Sequence, residues 1–121
     1  MFVRYNPNPK NAKVGDCPVR AIAKAEDIGW EQAYSELALQ GFIMADMPNA
    51  NAVWGEWLKG KGYKRKFLED FTTVKQFCAD HQYGTYVLAL QGHVVCAEKG
   101  NYYDSFDSGN ETVLYFWTKE D

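Results

Sequence analysis

The pattern of apolar residues changes once along the chain, near Gly84, and this change limits the folds available to it. Before Gly84, apolar side chains recur at the three- and four-residue spacing of amphipathic helices. After it come four runs rich in β-branched and aromatic residues, TYVLAL, HVVCAE, NYYDSF and TVLYFW, separated by the turn-forming segments QG, KG and DSGNE. Helices followed by a strand meander predict an α+β fold, with N-terminal helices packed on a C-terminal antiparallel sheet in which each strand neighbours the next.

Four helices are predicted before the meander. The first begins at Cys17, with Asp16 as its N-cap and Pro18 in its first turn, where the missing proline N–H costs little. The others are expected from Trp30 to Gln40, with Gly41 as the stop, from about Asn49 to Lys59, and in the segment TTVKQFCADH. The segment YKRKFLE predicts a short strand.

Length and composition predict one domain, residues 1–121, whose first 14 residues, rich in Asn, Pro and Lys, form an extended arm. The net charge of −3 argues against nucleic acid and anionic membranes as partners. No apolar run approaches the ~20 residues of a membrane span, and MFVRYNPNPKNAK lacks the apolar segment of a signal peptide. Three widely spaced cysteines fit free thiols in a reducing compartment, so a cytoplasmic protein is expected.

The segment VGDCPVRAIAKA places a thiol, that of Cys17, at the head of an alanine-rich helix. A helix N-terminus favours the thiolate, and the backbone N–H groups of the first turn can stabilise an oxyanion. Gly15 allows another backbone or a ligand to come close. Cys17 is therefore a candidate nucleophile, and the alternative is a small buried core residue.

A thiolate nucleophile needs a base within hydrogen-bonding reach, and the chain has two histidines. His81 ends a predicted helix, where capping or solvent exposure explains it. His93 follows Gly92 and opens the strand HVVCAE, from which it can project into a cleft at the edge of the sheet. His93 is the candidate base, and an ordinary exposed strand-end residue is the alternative.

The third residue of such a site orients the imidazole through its other nitrogen. The segment HVVCAEKGNYYDSFDSG predicts a hairpin that turns near Lys99. If Ala97 faces Tyr102, Asp104 lies diagonally across from His93 on the same face. A slip of one residue would favour Asp107 instead, so Asp107 stays open as the second choice.

The oxyanion donor is sought upstream of Cys17. Asn11 stands six residues before it, and Asn6 lies further upstream. A side-chain amide from the arm, beside the Cys17 backbone N–H, would complete an oxyanion hole. Turn formation next to proline is the alternative for either asparagine.

GDCPVRAIAKA and the later GHVVCAEKGNYYDSFDSG together resemble the papain-like cysteine peptidases, above all the small members found in bacteria and their phages. The resemblance implies a papain-like fold with Cys17, His93 and Asp104 as the catalytic triad, and Asn11 or Asn6 where the family has its oxyanion glutamine. It implies a peptidase or amidase-type hydrolase acting on a peptide or isopeptide bond of a protein or peptide substrate, without metal or organic cofactor. The expected setting is the cytoplasm of a bacterial or phage-infected cell.

Three other interpretations stay open. A catalytically inactive papain-like module would act by protein contact, and the abundant tyrosines and tryptophans suit an interface as well as a core. The segment LKGKGYKRKF forms a small basic patch with interleaved aromatics, which a solvated loop and strand edge explain more simply than nucleic-acid binding. A zinc site would draw on scattered residues that lack any short paired spacing: Cys17, Cys78, Cys96, His81 and His93.

Overall fold

A computed structural model describes residues 1–120. Over these residues the chain forms four helices and a six-stranded, mostly antiparallel sheet, which confirms the predicted α+β class. The helices are α1 Cys17–Ala25, α2 Trp30–Met44, α3 Asn51–Gly60 and α4 Val74–Asp80. The strands are β1 Phe2–Arg4, β2 Lys64–Lys66, β3 Thr85–Leu90, β4 His93–Glu98, β5 Asn101–Asp104 and β6 Tyr115–Thr118.

The sheet has the strand order β1-β5-β4-β3-β6-β2. Strands β3, β4 and β5 form the predicted meander, but β6 pairs with β3 and not with β5, so the prediction that each strand neighbours the next is wrong for β6. The physical reason is that β1, inside the predicted extended arm, pairs in parallel with β5 and occupies its free edge. Residues 105–114 give the chain enough length to return across the sheet to β3.

The turn between β4 and β5 sets which residues meet at the end of the sheet. Lys99 has φ 52° and Gly100 has φ 81°, the left-handed pair typical of a two-residue type I′ hairpin. Ala97 pairs with Tyr102, which confirms the predicted register. Because the strands are antiparallel, the first residue of β4 and the last residue of β5 come to the same end of the sheet.

Apolar side chains cover both faces of the sheet. Helices α1, α2 and α3 pack on one face, and α4 packs on the other. The larger side chains of the first cluster are Ile22, Leu37, Trp54, Trp57, Leu58, Val87, Val94 and Trp117, and those of the second are Val74, Phe77, Tyr86, Leu88, Val95, Tyr102 and Phe116. Among residues 1–120, no helix is long and apolar enough to cross a membrane.

Helix α2 continues past Gly41 to Met44, so the predicted stop at Gly41 is wrong. Gly41 is buried, and a Cβ atom built on it would lie 2.6 Å from the backbone oxygen of Asp46. The helix ends instead at Ala45, whose φ is 55°. The glycine is therefore required for close packing of the loop after α2 and not for ending the helix.

We expect Gly41→Ala to destabilise the protein by about 1–3 kcal/mol, because the added methyl group collides with backbone that cannot move freely. Urea unfolding measures the loss. Gly60→Ala is the matched control, since a Cβ at Gly60, also in a helix, meets nothing within 4 Å. Equal stability of the two variants would contradict the packing role of Gly41.

Candidate active site

Three elements meet at the end of the sheet and bring together the three residues of the predicted triad. Cys17 is the first residue of α1, His93 the first of β4 and Asp104 the last of β5, and α1 packs on β4. Nε2 of His93 lies 2.7 Å from Oδ2 of Asp104. Cys17 is half-buried, and its thiol lies close enough to the same imidazole to help raise the pKa of His93. The imidazole therefore lies near a thiol and is hydrogen-bonded to a carboxylate.

The other candidate residues lie apart from this group. Asp107, the second choice for the carboxylate, accepts hydrogen bonds from the Tyr102 hydroxyl and from the Gly109 backbone N–H. His81 has its Nδ1 2.8 Å from the Phe77 carbonyl oxygen, and its ring stacks on the Phe77 ring. Of the two aspartates left open, the structure brings Asp104 to His93.

A buried arginine, which the sequence analysis did not single out, extends the site. Arg20 is 5% exposed, and its guanidinium lies 2.6 Å from Oδ1 of Asp16 and 3.0 Å from Oδ1 of Asp104. Trp30 donates its indole N–H to the other oxygen of Asp16 at 2.8 Å. An arginine four residues after an aspartate, between the apolar residues Val19 and Ala21 of α1, is the signal that could have revealed this network.

Asp104 has all its acceptor positions occupied. Oδ1 accepts from Arg20 and from the Ser105 backbone N–H at 2.7 Å, and Oδ2 accepts from His93 and from the Ser108 hydroxyl at 2.6 Å. Burial alone would raise the pKa of Asp104, but the hydrogen bonds from His93 and Ser108 outweigh it and hold the pKa below its usual value. The carboxylate is thus charged and fixed, and it holds the imidazole in one orientation.

The surroundings of His93 favour its protonated form at neutral pH. Burial lowers the pKa of His93, but hydrogen bonds to Asp104 and Cys17, together with their charges, outweigh burial and raise it to about 9. The Phe106 ring lies 4.9 Å from the imidazole, centroid to centroid, and covers one side of it. An imidazolium beside a thiol is the electrostatic arrangement that favours a thiolate.

The asparagines of the arm border a cavity of about 410 Å³ beside the site. Asn6 and Asn11 line it together with Asp16 and Phe106. The Asn6 side-chain amide donates to the Ala12 carbonyl at 3.2 Å, which agrees with the alternative of turn formation within the arm. The Asn11 side-chain amide donates to no group within residues 1–120. Of the two candidate asparagines, Asn11 is therefore the one with a free amide donor in the described part of the chain, and its role at an oxyanion stays a prediction.

The residues of the zinc alternative are spread over the fold. Cys96 lies in the cluster under α1, whereas Cys78 lies in the cluster under α4. Burial raises the pKa of the Cys78 thiol to about 11 and raises that of Cys96 as well. Among residues 1–120, no three histidine, cysteine or acidic side chains group as metal ligands.

A thiol, an imidazole and a buried carboxylate in contact are the groups that activation of a cysteine nucleophile requires. At this site the imidazole of His93 lies between the thiol of Cys17 and the carboxylate of Asp104. A cavity lies beside the site, and the thiol is at the N-terminus of α1. The chain matches no protein-family model, no curated protein and no solved structure.

Proposed function

We propose that the protein is a papain-like cysteine hydrolase that cleaves a peptide or isopeptide bond with Cys17, His93 and Asp104. The observation that carries the proposal is the position of the His93 imidazole, which is hydrogen-bonded to the Asp104 carboxylate and lies near the Cys17 thiol at the start of α1. Support also comes from the position of Cys17 at the head of α1, where the helix dipole favours negative charge.

In this mechanism His93 already holds the proton of the Cys17 thiol, as an imidazolium paired with a thiolate, and the thiolate attacks the substrate carbonyl carbon. The Cys17 backbone N–H and the Asn11 side-chain amide donate to the resulting oxyanion. His93 returns the proton to the leaving amine as the C–N bond breaks, which leaves a thioester on Cys17. Water, deprotonated by His93, then attacks the thioester, and the acid product and free thiol are released. Asp104 stabilises the imidazolium throughout.

The test is alkylation of the folded protein by limiting iodoacetamide across pH 5 to 9, with the label located by mass spectrometry. We expect Cys17 to react at pH near 6, because the imidazolium stabilises its thiolate. In His93→Ala the reaction at pH 6 should slow by about 100-fold, because no imidazolium accompanies the thiol. The buried thiols of Cys78 and Cys96 should stay unlabelled in both proteins.

His81→Ala is the control, because it removes the other histidine from the opposite face of the sheet. It should leave Cys17 reactivity unchanged. A Cys17 that is inert at pH 6 in the unaltered protein, or equally reactive with and without His93, would rule out an activated thiol.

One observation favours a second candidate, a papain-like module without catalysis that acts by protein contact. The C-terminal half of α2 and the loop after it expose large apolar side chains: Leu39 is 60% exposed, Phe42 84%, Ile43 70% and Met47 65%. Such a contiguous apolar surface is typical of protein interfaces. An inert Cys17 in the alkylation experiment would favour this candidate.

A further inference from the structure

A second cavity, of about 610 Å³, lies far along the strand order from the candidate active site. It opens between α3 and the β6–β2 edge of the sheet, and we call it the α3–β2 cavity. Its walls include Gly55, Lys59, Lys64, Arg65, Phe67 and Trp117. Its volume is that of a site for a small organic ligand.

The α3–β2 cavity is positively charged in a chain whose net charge is −3. Lys59, Lys64 and Arg65 line it against a single carboxylate, that of Glu56. None of the three cations is in an ion pair within residues 1–120. Three lysines outside the cavity pair with carboxylates, in the pairs Lys24–Glu98, Lys61–Glu36 and Lys119–Glu26. The cavity therefore concentrates unpaired positive charge, which an anion can neutralise.

Trp117 brings an unpartnered hydrogen-bond donor to the same wall. The residue is 8% exposed, and its buried indole N–H has no hydrogen-bond partner within residues 1–120. A Cβ atom on Gly55 would lie 3.1 Å from Cζ2 of the indole and 3.9 Å from Cε2, the carbon bonded to the nitrogen. The six-membered ring of the indole thus packs against the part of α3 that has no side chain. Buried donors are normally paired, so the indole N–H lacks the acceptor that such groups usually have.

Aromatic rings lie beside the cations. The Arg65 guanidinium lies 5.4 Å from the ring centre of Phe67, 5.6 Å from that of Tyr115 and 5.9 Å from that of Trp117. Arg65 and Trp117 are direct cross-strand partners, which fixes this arrangement. Phe67 is 67% exposed and offers a flat apolar face next to the charge. A positive groove with exposed aromatic faces is how proteins bind single-stranded nucleic acid.

We propose that the α3–β2 cavity binds a nucleotide, either free or within a single strand. Lys59, Lys64 and Arg65 neutralise the phosphate, the base stacks on Phe67, and the Trp117 indole N–H donates to a ligand oxygen. The acidic total charge argued against nucleic acid, but this cavity is locally positive. An acidic peptide would satisfy the cations and leave the exposed ring without a stacking partner. The proposal is independent of catalysis at Cys17.

The experiment measures fluorescence anisotropy of a fluorescein-labelled oligothymidylate, about eight nucleotides long, titrated with the whole protein at low salt. We expect saturable binding that weakens as salt rises. The double variant Lys59→Gln/Arg65→Gln should bind about tenfold more weakly, and Trp117→Phe, which keeps a ring but removes the N–H, about threefold more weakly. Adenosine monophosphate should displace the oligonucleotide at concentrations at which inorganic phosphate does not.

Lys10→Gln is the control, since it removes an exposed lysine that does not line the cavity and should bind as the unaltered protein does. Circular dichroism establishes that each variant is folded, and the exposed positions of Lys59 and Arg65 keep the test valid even if Trp117→Phe does not fold. The proposal is overturned by an unchanged anisotropy or by equal weakening in Lys10→Gln. Displacement by inorganic phosphate or oligoaspartate as readily as by the mononucleotide would also overturn it, in favour of a simple anion or an acidic peptide.

Discussion

Arg20→Met will lower the free energy of unfolding by about 3–5 kcal/mol, because it leaves two buried carboxylates without their common cation. Asp16 is 6% exposed and Asp104 is fully buried, so water cannot replace the guanidinium without a change of structure. Methionine is a long, unbranched and apolar side chain that fills much of the space of arginine. The loss in free energy of unfolding therefore comes mainly from removal of the positive charge and not from a cavity. Urea unfolding followed by tryptophan fluorescence measures it.

The matched control is Lys24→Met, four residues along the same helix. Lys24 is partly exposed, its ammonium lies 3.9 Å from Glu98, and it lies over the Tyr103 ring. Such a pair contributes at most about 1 kcal/mol. A loss for Arg20→Met no larger than that for Lys24→Met would show that the network does not depend on its arginine.

Asp104→Asn will lower the pKa of His93 from about 9, because burial of the imidazole remains while the hydrogen bond to the carboxylate and its charge are removed. Nuclear magnetic resonance of the imidazole carbon-bound protons, followed against pH, measures this pKa. Cys17 should then become less reactive towards iodoacetamide near pH 6, since the imidazolium that accompanies the thiolate is less stable.

Asp104→Asn should also change how the free energy of unfolding depends on pH. A histidine whose pKa is about 9 when folded and 6.5 when unfolded stabilises the fold fully below pH 6.5, and this contribution, about 3 kcal/mol, is lost as the pH rises through 9. Asp104→Asn should make this decline smaller, because the contribution of Asp104 to the raised pKa is lost. Asp107→Asn is the control, because Asp107 does not contact His93, and its pH profile should be that of the unaltered protein. A His93 pKa still near 9 in Asp104→Asn would exclude the carboxylate as the cause.

Local sequence was enough to predict the α+β class, the start of α1 at Cys17, and the β4–β5 register, because each follows from neighbouring residues. The Lys99–Gly100 turn sets the register, and the register brings Asp104 to the end of the sheet where His93 begins β4. The role of Arg20 was not predictable in this way. Its partner Asp104 is distant in sequence, and only the packing of α1 on β4 and β5 brings the two side chains together.

The errors of sequence interpretation also arise from contacts between distant residues. Strand β1 forms because β5 offers it an edge, and nothing in FVR by itself distinguishes a strand from an extended arm. Gly41 resembles a helix stop until the loop that packs against it is known. Asn6 and Asn11 are the same residue type in the same arm. Their side-chain amides are distinguished by the hydrogen bonds of the folded arm.

The pairing of β1 with β5 has a consequence for the order in which the protein acquires its site. Phe2 pairs with Tyr102, and Arg4 with Asp104, so the residues of β1 cannot pair until residues much later in the chain have been synthesised. The proposed nucleophile likewise leaves the ribosome long before its histidine and its aspartate. Contacts so distant in sequence form late in folding. On a growing chain the proposed nucleophile therefore lacks both of its proposed partners, and the proposed site is complete only when the sheet is.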